Sequence, residues 1–146
     1  MKKINTFYPK EADISETWVV IDAKDKILGR VATKVANIIR GKESAHYTPS
    51  VDPKSFVIVL NSDQVKVSGN KSKDKYYHKH SGYIGGLKSI SFEDQIAKDS
   101  TQVIFKAVKG MLPSTKLGSQ LQKKLKVYTG DVHPHEAQSP TVVEID

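Results

Sequence analysis

The chain has 146 residues, of which 38% are hydrophobic and 27% charged, and its net charge is +7. That length suits one domain with its own core, and the positive balance favours acidic partners. Cysteine is absent, which excludes disulfides and thiolate zinc sites.

The opening MKKINTFYPKEADISETW has lysines but no apolar core behind them, so it does not read as a secretory signal. Residues 1–16 are expected to be an N-terminal extension of a single domain over 1–146. WVVID at 18–22 suits a buried strand. Leu28, Val31, Ala32, Val35, Ile38 and Ile39 share one helical face, with Asp25 as the expected cap and Gly41 as the stop. Arg30, Lys34 and Asn37 fall on another face of that helix. FVIVLNS at 56–62 is apolar on both faces and predicts a central strand covered on both sides. QVKVSGNK suggests a short alternating strand and a turn. KYYHKH reads as an edge strand and SGYIGG as a glycine loop.

Ser91 is placed to cap a short helix over 91–99. TQVIFKAVKGML then sets Val103, Ile104, Ala107, Val108 and Met111 on one face. Lys98, Gln102, Lys106 and Lys109 would share the opposite face if the helix ran on unbroken. After Pro113, Leu117, Leu121 and Leu125 recur every four residues, with Lys116, Gln120, Lys123 and Lys124 on the other side. Residues 129–146 contain prolines and four acids and are expected to be mostly irregular. No stretch approaches the roughly 18 apolar residues of a membrane span. Strands alternating with helices predict an α/β fold with a parallel or mixed sheet and helices on both faces.

The charge is unevenly spread. Residues 64–128 carry 13 Lys and Arg against 4 Asp and Glu, whereas residues 1–63 carry 10 against 8. A block of that kind is an electrostatic footprint for nucleic acid or an anionic membrane. Its centre is KYYHKHSGYIGG at 75–86. His78 and His80, like His133 and His135, have the i, i+2 spacing of a chelating pair on a strand. The neighbouring Lys75 and Lys79 disfavour a cation, and neither Asp74 nor Glu136 has a spacing that specifies a site. Gly41-Lys42-Glu43-Ser44 fails the phosphate-loop pattern at Glu43 and at Ala36, where glycine is required. No GxSxG nucleophile elbow occurs.

RNA is the partner that uses every residue type in the stretch. Lys71, Lys73, Lys75, Lys79 and Lys88 can neutralise phosphates. Tyr76, Tyr77, Tyr83, His78 and His80 offer ring faces and donors, although alternation must turn some of the tyrosines into the core. Gly82, Gly85 and Gly86 allow close backbone approach. A histidine-metal phosphoesterase and an RNA-binding regulator are the rival readings.

Four segments in order make the case more specific: WVVIDAKDKILGRVATKVANIIRGK, YTPSVDPKSFVIVLNSDQVKVSGNK, KYYHKHSGYIGGLKS and AVKGMLPSTKLGSQLQKKLKVYTGDVHPHEAQSP. Together they resemble the L13 family of large-subunit ribosomal proteins, in its bacterial and organellar form. The resemblance implies a three-layer α/β/α fold with a central, mostly parallel sheet of about four strands. It implies a structural, non-catalytic role on large-subunit (23S-type) rRNA, early entry into subunit assembly, and neighbouring large-subunit proteins as partners. No cofactor, membrane or small-molecule substrate is implied, and the location is a cytoplasmic or plastid ribosome. Positions matched to the family are Arg30, Gly41, Lys42, Tyr47, Gly69, Asn70, Lys71, His80, Gly82, Gly85, Gly86, Lys109, Gly110, His133, His135 and Gln138. Arg40, His46, Ser81 and Lys126, with Lys34, Lys116, Lys123 and Lys124, complete the expected RNA-binding set. The chain departs from the family pattern at Asp52-Pro53-Lys54-Ser55, where a Gly-Asp turn is usual, at Ser119, where arginine is frequent, and at Ile84, where proline is frequent.

Overall fold

The computed structural model describes residues 8–145. Residues 1–7 of the expected N-terminal extension, and Asp146, lie outside the described residues. Strand β1 (Thr17–Asp22) leads into helix α1 (Leu28–Ile39) and then β2 (Ser55–Leu60). A single turn of helix, α2 (Lys71–Asp74), precedes β3 (Tyr76–His80) and β4 (Leu87–Ser91). Helices α3 (Phe92–Met111) and α4 (Lys116–Gln122) follow, then β5 (Leu125–Val127) and β6 (Thr141–Val142).

The main sheet has the order β5-β2-β1-β6, and every pairing in it is parallel. Parallel strands need crossovers, and crossovers are right-handed. Stepping from β1 to β2 and on to β5 therefore places α1 and α3 on one face. The return from β5 to β6 runs the other way and covers the opposite face. The alternation of the strands matches this. Val19, Ile21, Val57 and Val59 join the cluster formed with Val31, Val35, Ile39, Val103, Ile104 and Val108. On the other face Trp18 and its register partner Phe56 stack at 4.4 Å, and His135 from the return segment lies 5.2 Å from the Trp18 ring. The result is the three-layer α/β/α arrangement with a four-stranded parallel sheet.

The apolar face of α1 is buried as its spacing requires: Leu28, Val31, Ala32, Val35, Ile38 and Ile39 all lie in the core. Each of the Leu, Val and Ile side chains contributes about 1.5–3 kcal/mol by leaving water, and Ala32 less. The cap differs from expectation. Ile27 is the N-cap and makes no side-chain cap bond, while Asp25 sits two residues earlier with φ 58°. Its carboxylate pairs instead with Lys66 at 2.6 Å. That hydrogen bond and charge hold the Asp25 carboxyl below its usual range. Gly41 follows the helix as expected, and a Cβ there would lie 2.6 Å from the Cβ of Pro53.

Two further expectations, for QVKVSGNK and for Leu125, are corrected. QVKVSGNK makes no strand; its only pairing among the described residues is the bridge Ile27–Lys66. The short helix expected over 91–99 does end there: α3 breaks at Asp99, which has φ −162° and ψ 96°. Its carboxylate caps the second half, accepting from the Thr101 amide at 3.1 Å and the Thr101 hydroxyl at 2.6 Å. Leu125 does not extend the helix of Leu117 and Leu121; it opens β5, because α4 ends at Gln122. The acidic tail is mostly irregular and also contributes β6, which pairs with Val19 and Val20 as the fourth strand.

Candidate nucleic-acid interface

β3 and β4 form a separate antiparallel ribbon, paired from Tyr76–Ser91 to His80–Leu87. KYYHKH is thus one strand of a hairpin. Its partner, LKSIS, escaped the sequence reading, because Leu87 and Ile90 are three apart and give no alternating signal. Successive side chains point to opposite faces. One face carries Tyr77 and Lys79 with Ile90 and Lys88. The other carries Tyr76, His78 and His80 with Ser91, Ser89 and Leu87.

The first face anchors the ribbon. Tyr77 is half-buried against the core, and its hydroxyl is buried without a hydrogen-bond partner. Burial pushes its phenol pKa up. The Lys106 ammonium lies 4.8 Å from the ring centre and that of Lys75 5.3 Å. Lys106 reaches from α3, and Lys109, one turn on, shares its helix face. Beyond this anchor Lys79 and Lys88 stand directly opposite each other, both exposed. Like charges across a strand pair cost stability, and no acid of the ribbon stands between them. Lys71 and Lys73 lie on the adjoining turn, and neither has an ion pair among the described residues; Lys71 donates to Ser68 Oγ at 3.1 Å.

The hairpin connection is closed by its own backbone. Ser81 N–H donates to Gly86 O at 3.1 Å, and Gly86 N–H to Tyr83 O at 2.9 Å. Gly82 and Gly85 have φ of 92° and 73°. At Gly86 a Cβ would fall 2.0 Å from Ser81 Oγ and 2.8 Å from Tyr83 O, so no side chain fits. The Gly82 amide donates to His80 Nδ1 at 2.9 Å. That bond requires Nδ1 without a proton, so the neutral ring carries its hydrogen on Nε2 and offers a donor outward. His78 Nδ1 bonds Ser89 Oγ at 2.7 Å. Tyr83 is 80% exposed and Ile84 fully so.

The remaining expected residues fall into groups. On the opposite face of the sheet, His135 Nε2 and the Tyr128 hydroxyl bond at 2.8 Å, and His133 Nδ1 accepts from the His135 amide at 3.2 Å. The second histidine pair is therefore held by tyrosine and backbone, with Gln138 exposed on the following turn. Lys34 pairs with Glu43 at 2.8 Å. Arg40 reaches the Tyr47 hydroxyl at 3.4 Å and lines a cleft with His46, Thr17, Pro53 and Ser55. Lys124 is buried, with its ammonium against Asp52 and 5.2 Å from the Phe56 ring centre. That pair anchors the 52–55 turn, where Asp52 also accepts from the Lys54 amide and Lys54 has φ 53°. Arg30, Lys42, Lys109, Gly110, Lys116 and Lys123 are exposed, and Lys126 is half-exposed on β5. Ser119 Oγ turns back to the Thr115 carbonyl. Among the described residues no three His, Cys, Asp or Glu converge as a metal site, and no helix is long and apolar enough to cross a membrane.

The parallel α/β core thus carries a separate ribbon whose exposed groups are mainly cationic and aromatic, the surface of a binding protein. The sequence pattern for ribosomal protein L13 matches residues 16–134. The large ribosomal subunit protein uL13 of Francisella philomiragia is 55% identical over 137 residues, covering 94% of this chain and 96% of the relative. That of Streptomyces avermitilis is 50% identical over 142 residues, 97% of each chain, and that of Coxiella burnetii (strain Dugway) is 49% identical over 140, covering 96% and 99%. The chain belongs to the ribosomal protein L13 family and is a structural, non-enzymatic constituent of the large ribosomal subunit.

Proposed function

We propose that the chain binds and stabilises large-subunit rRNA and enters subunit assembly early, with neighbouring large-subunit proteins as further partners. The observation that carries this reading is the β3–β4 ribbon. It presents Lys79 against Lys88, the adjoining Lys71, Lys73 and Lys75, and a glycine loop too tight for side chains at Gly86. Lysines facing one another without an acid are costly alone and favourable beside phosphate. A-form RNA hides its base edges in a deep, narrow groove, so recognition is by backbone, shape and unpaired nucleotides. Arg30, Lys42, Lys109, Lys116, Lys123 and Lys126 extend the cationic surface. Lys124 is assigned to packing, since Asp52 already satisfies it.

The test is binding of the isolated chain to protein-free large-subunit rRNA across a salt series. Replacing Lys71, Lys75 and Lys88 together by Ala should lower the slope of log affinity against log salt by about two. A slope equal to that of the unaltered chain would remove the ribbon from the interface.

A further inference from the structure

The ribbon is chemically two-sided, and the division is complete. Beyond the Tyr77 anchor, one face offers Lys79 and Lys88 and no ring. The other offers Tyr76, His78 and His80 with Ser89 and Leu87, and no lysine, arginine or carboxylate. On that second face Tyr76 is 55% and Leu87 61% exposed, and the Tyr76 and His78 rings lie nearly parallel, 22° apart, with centres 6.4 Å from each other. His78 is fixed by Ser89, and His80 by the Gly82 amide, so these rings are held in place before any partner arrives. A fixed row of ring faces suits stacking on unpaired bases, whereas opposed ammonium groups suit phosphate. A layer packed on either face of a sheet sits about 10 Å from it. What stacks on the rings and what neutralises the lysines are then on opposite sides of the ribbon.

We propose that the ribbon is a bivalent RNA clamp, whose lysine face holds the phosphates of one rRNA segment while its ring face stacks on unpaired bases of another. This rests on the rRNA-binding reading above and adds which face takes which segment. A structural protein built so would tie two segments together rather than coat one, and the tie is short and stiff because Tyr77 roots the ribbon on the protein body.

Hydroxyl-radical footprinting of protein-free large-subunit rRNA with the full chain tests it. Two variants are compared with the unaltered chain: Lys79→Gln with Lys88→Gln, and Tyr76→Ala with His78→Ala. All four residues are exposed, and far-ultraviolet circular dichroism should be the same for all three proteins. The lysine variant should lose protection at one segment and show a reduced salt slope. The ring variant should lose protection at a different segment, not adjoining the first in the RNA chain, and bind about tenfold more weakly with an unchanged salt slope. Loss of the same segment in both variants would overturn the clamp while leaving rRNA binding intact. Unchanged RNA protection in the ring variant would also overturn it. No protection by the unaltered chain would instead remove the rRNA-binding reading itself.

Discussion

Gly86 shows how one position can be set by space alone. A methyl group there would meet Ser81 Oγ and the Tyr83 carbonyl at sub-contact distances, so Gly86→Ala must open the 81–86 connection. The connection is remote from the core, so thermal unfolding should shift little while rRNA affinity falls; a variant that keeps full affinity would show that the loop is not a contact. Tyr77 gives the converse case. Its buried hydroxyl has no partner, and an unpaired buried polar group costs about 1–3 kcal/mol. Tyr77→Phe keeps the ring beneath Lys75 and Lys106 and should leave the protein as stable or up to about 1–2 kcal/mol more stable in denaturant titration. Clear destabilisation would mean that the hydroxyl is satisfied in solution. These two residues also mark what the sequence discloses. That some tyrosine of KYYHKH turns inward follows from alternation; that it is Tyr77 depends on where α3 lies.

At the level of helices and strands, the legible parts were those whose pattern is local. The buried stripe of α1 and the doubly apolar β2 are written in the spacing of Val, Ile and Leu, and both formed as expected. The end of the short helix at Asp99 was legible too; its cause, the carboxylate capping Thr101, was not. Asp99→Ala should cost about 1 kcal/mol, and Asp99→Asn much less, since Asn caps nearly as well. The Thr101 hydroxyl bond holds the Asp99 carboxyl below its usual range. A depressed carboxyl stabilises the fold above its unfolded value near ~3.9; that contribution is lost as pH falls through the folded value, and Asp99→Asn should abolish this part of the acid sensitivity. Equal acid titration of both proteins would exclude the cap. The β4 strand was illegible for another reason: five residues of mixed polarity gain meaning only from their pairing with β3. Its Lys88 separates stability from function. Lys88→Glu should strengthen the ribbon by a few tenths of a kcal/mol, by replacing a like-charge pair, and should weaken rRNA binding at low salt; binding that tightens would contradict the account.

Across the whole molecule, right-handed crossovers distribute the surface. α1 and α3 share one side with the ribbon's anchor, and the histidines of the return segment share the other with Trp18 and Tyr128. The two histidine pairs looked alike in the sequence, yet they lie in different settings: one on an exposed ribbon, one hydrogen-bonded over the aromatic face of the sheet. The charge follows the same division. The basic middle of the chain builds the ribbon, α3 and α4, while the acidic tail supplies an edge strand, fastened where Lys26 donates to the Ile145 carbonyl. Family membership was legible because four segments keep their order over nearly the whole chain; the bivalent character of the ribbon was not, because it depends on register. The most direct check is sedimentation of the tagged chain from a cell lysate on sucrose gradients at high and low magnesium. The account expects it to follow the large subunit after the subunits separate, at about one copy each on the stoichiometry of a structural constituent. A chain that stays at the top of the gradient in both conditions would contradict it.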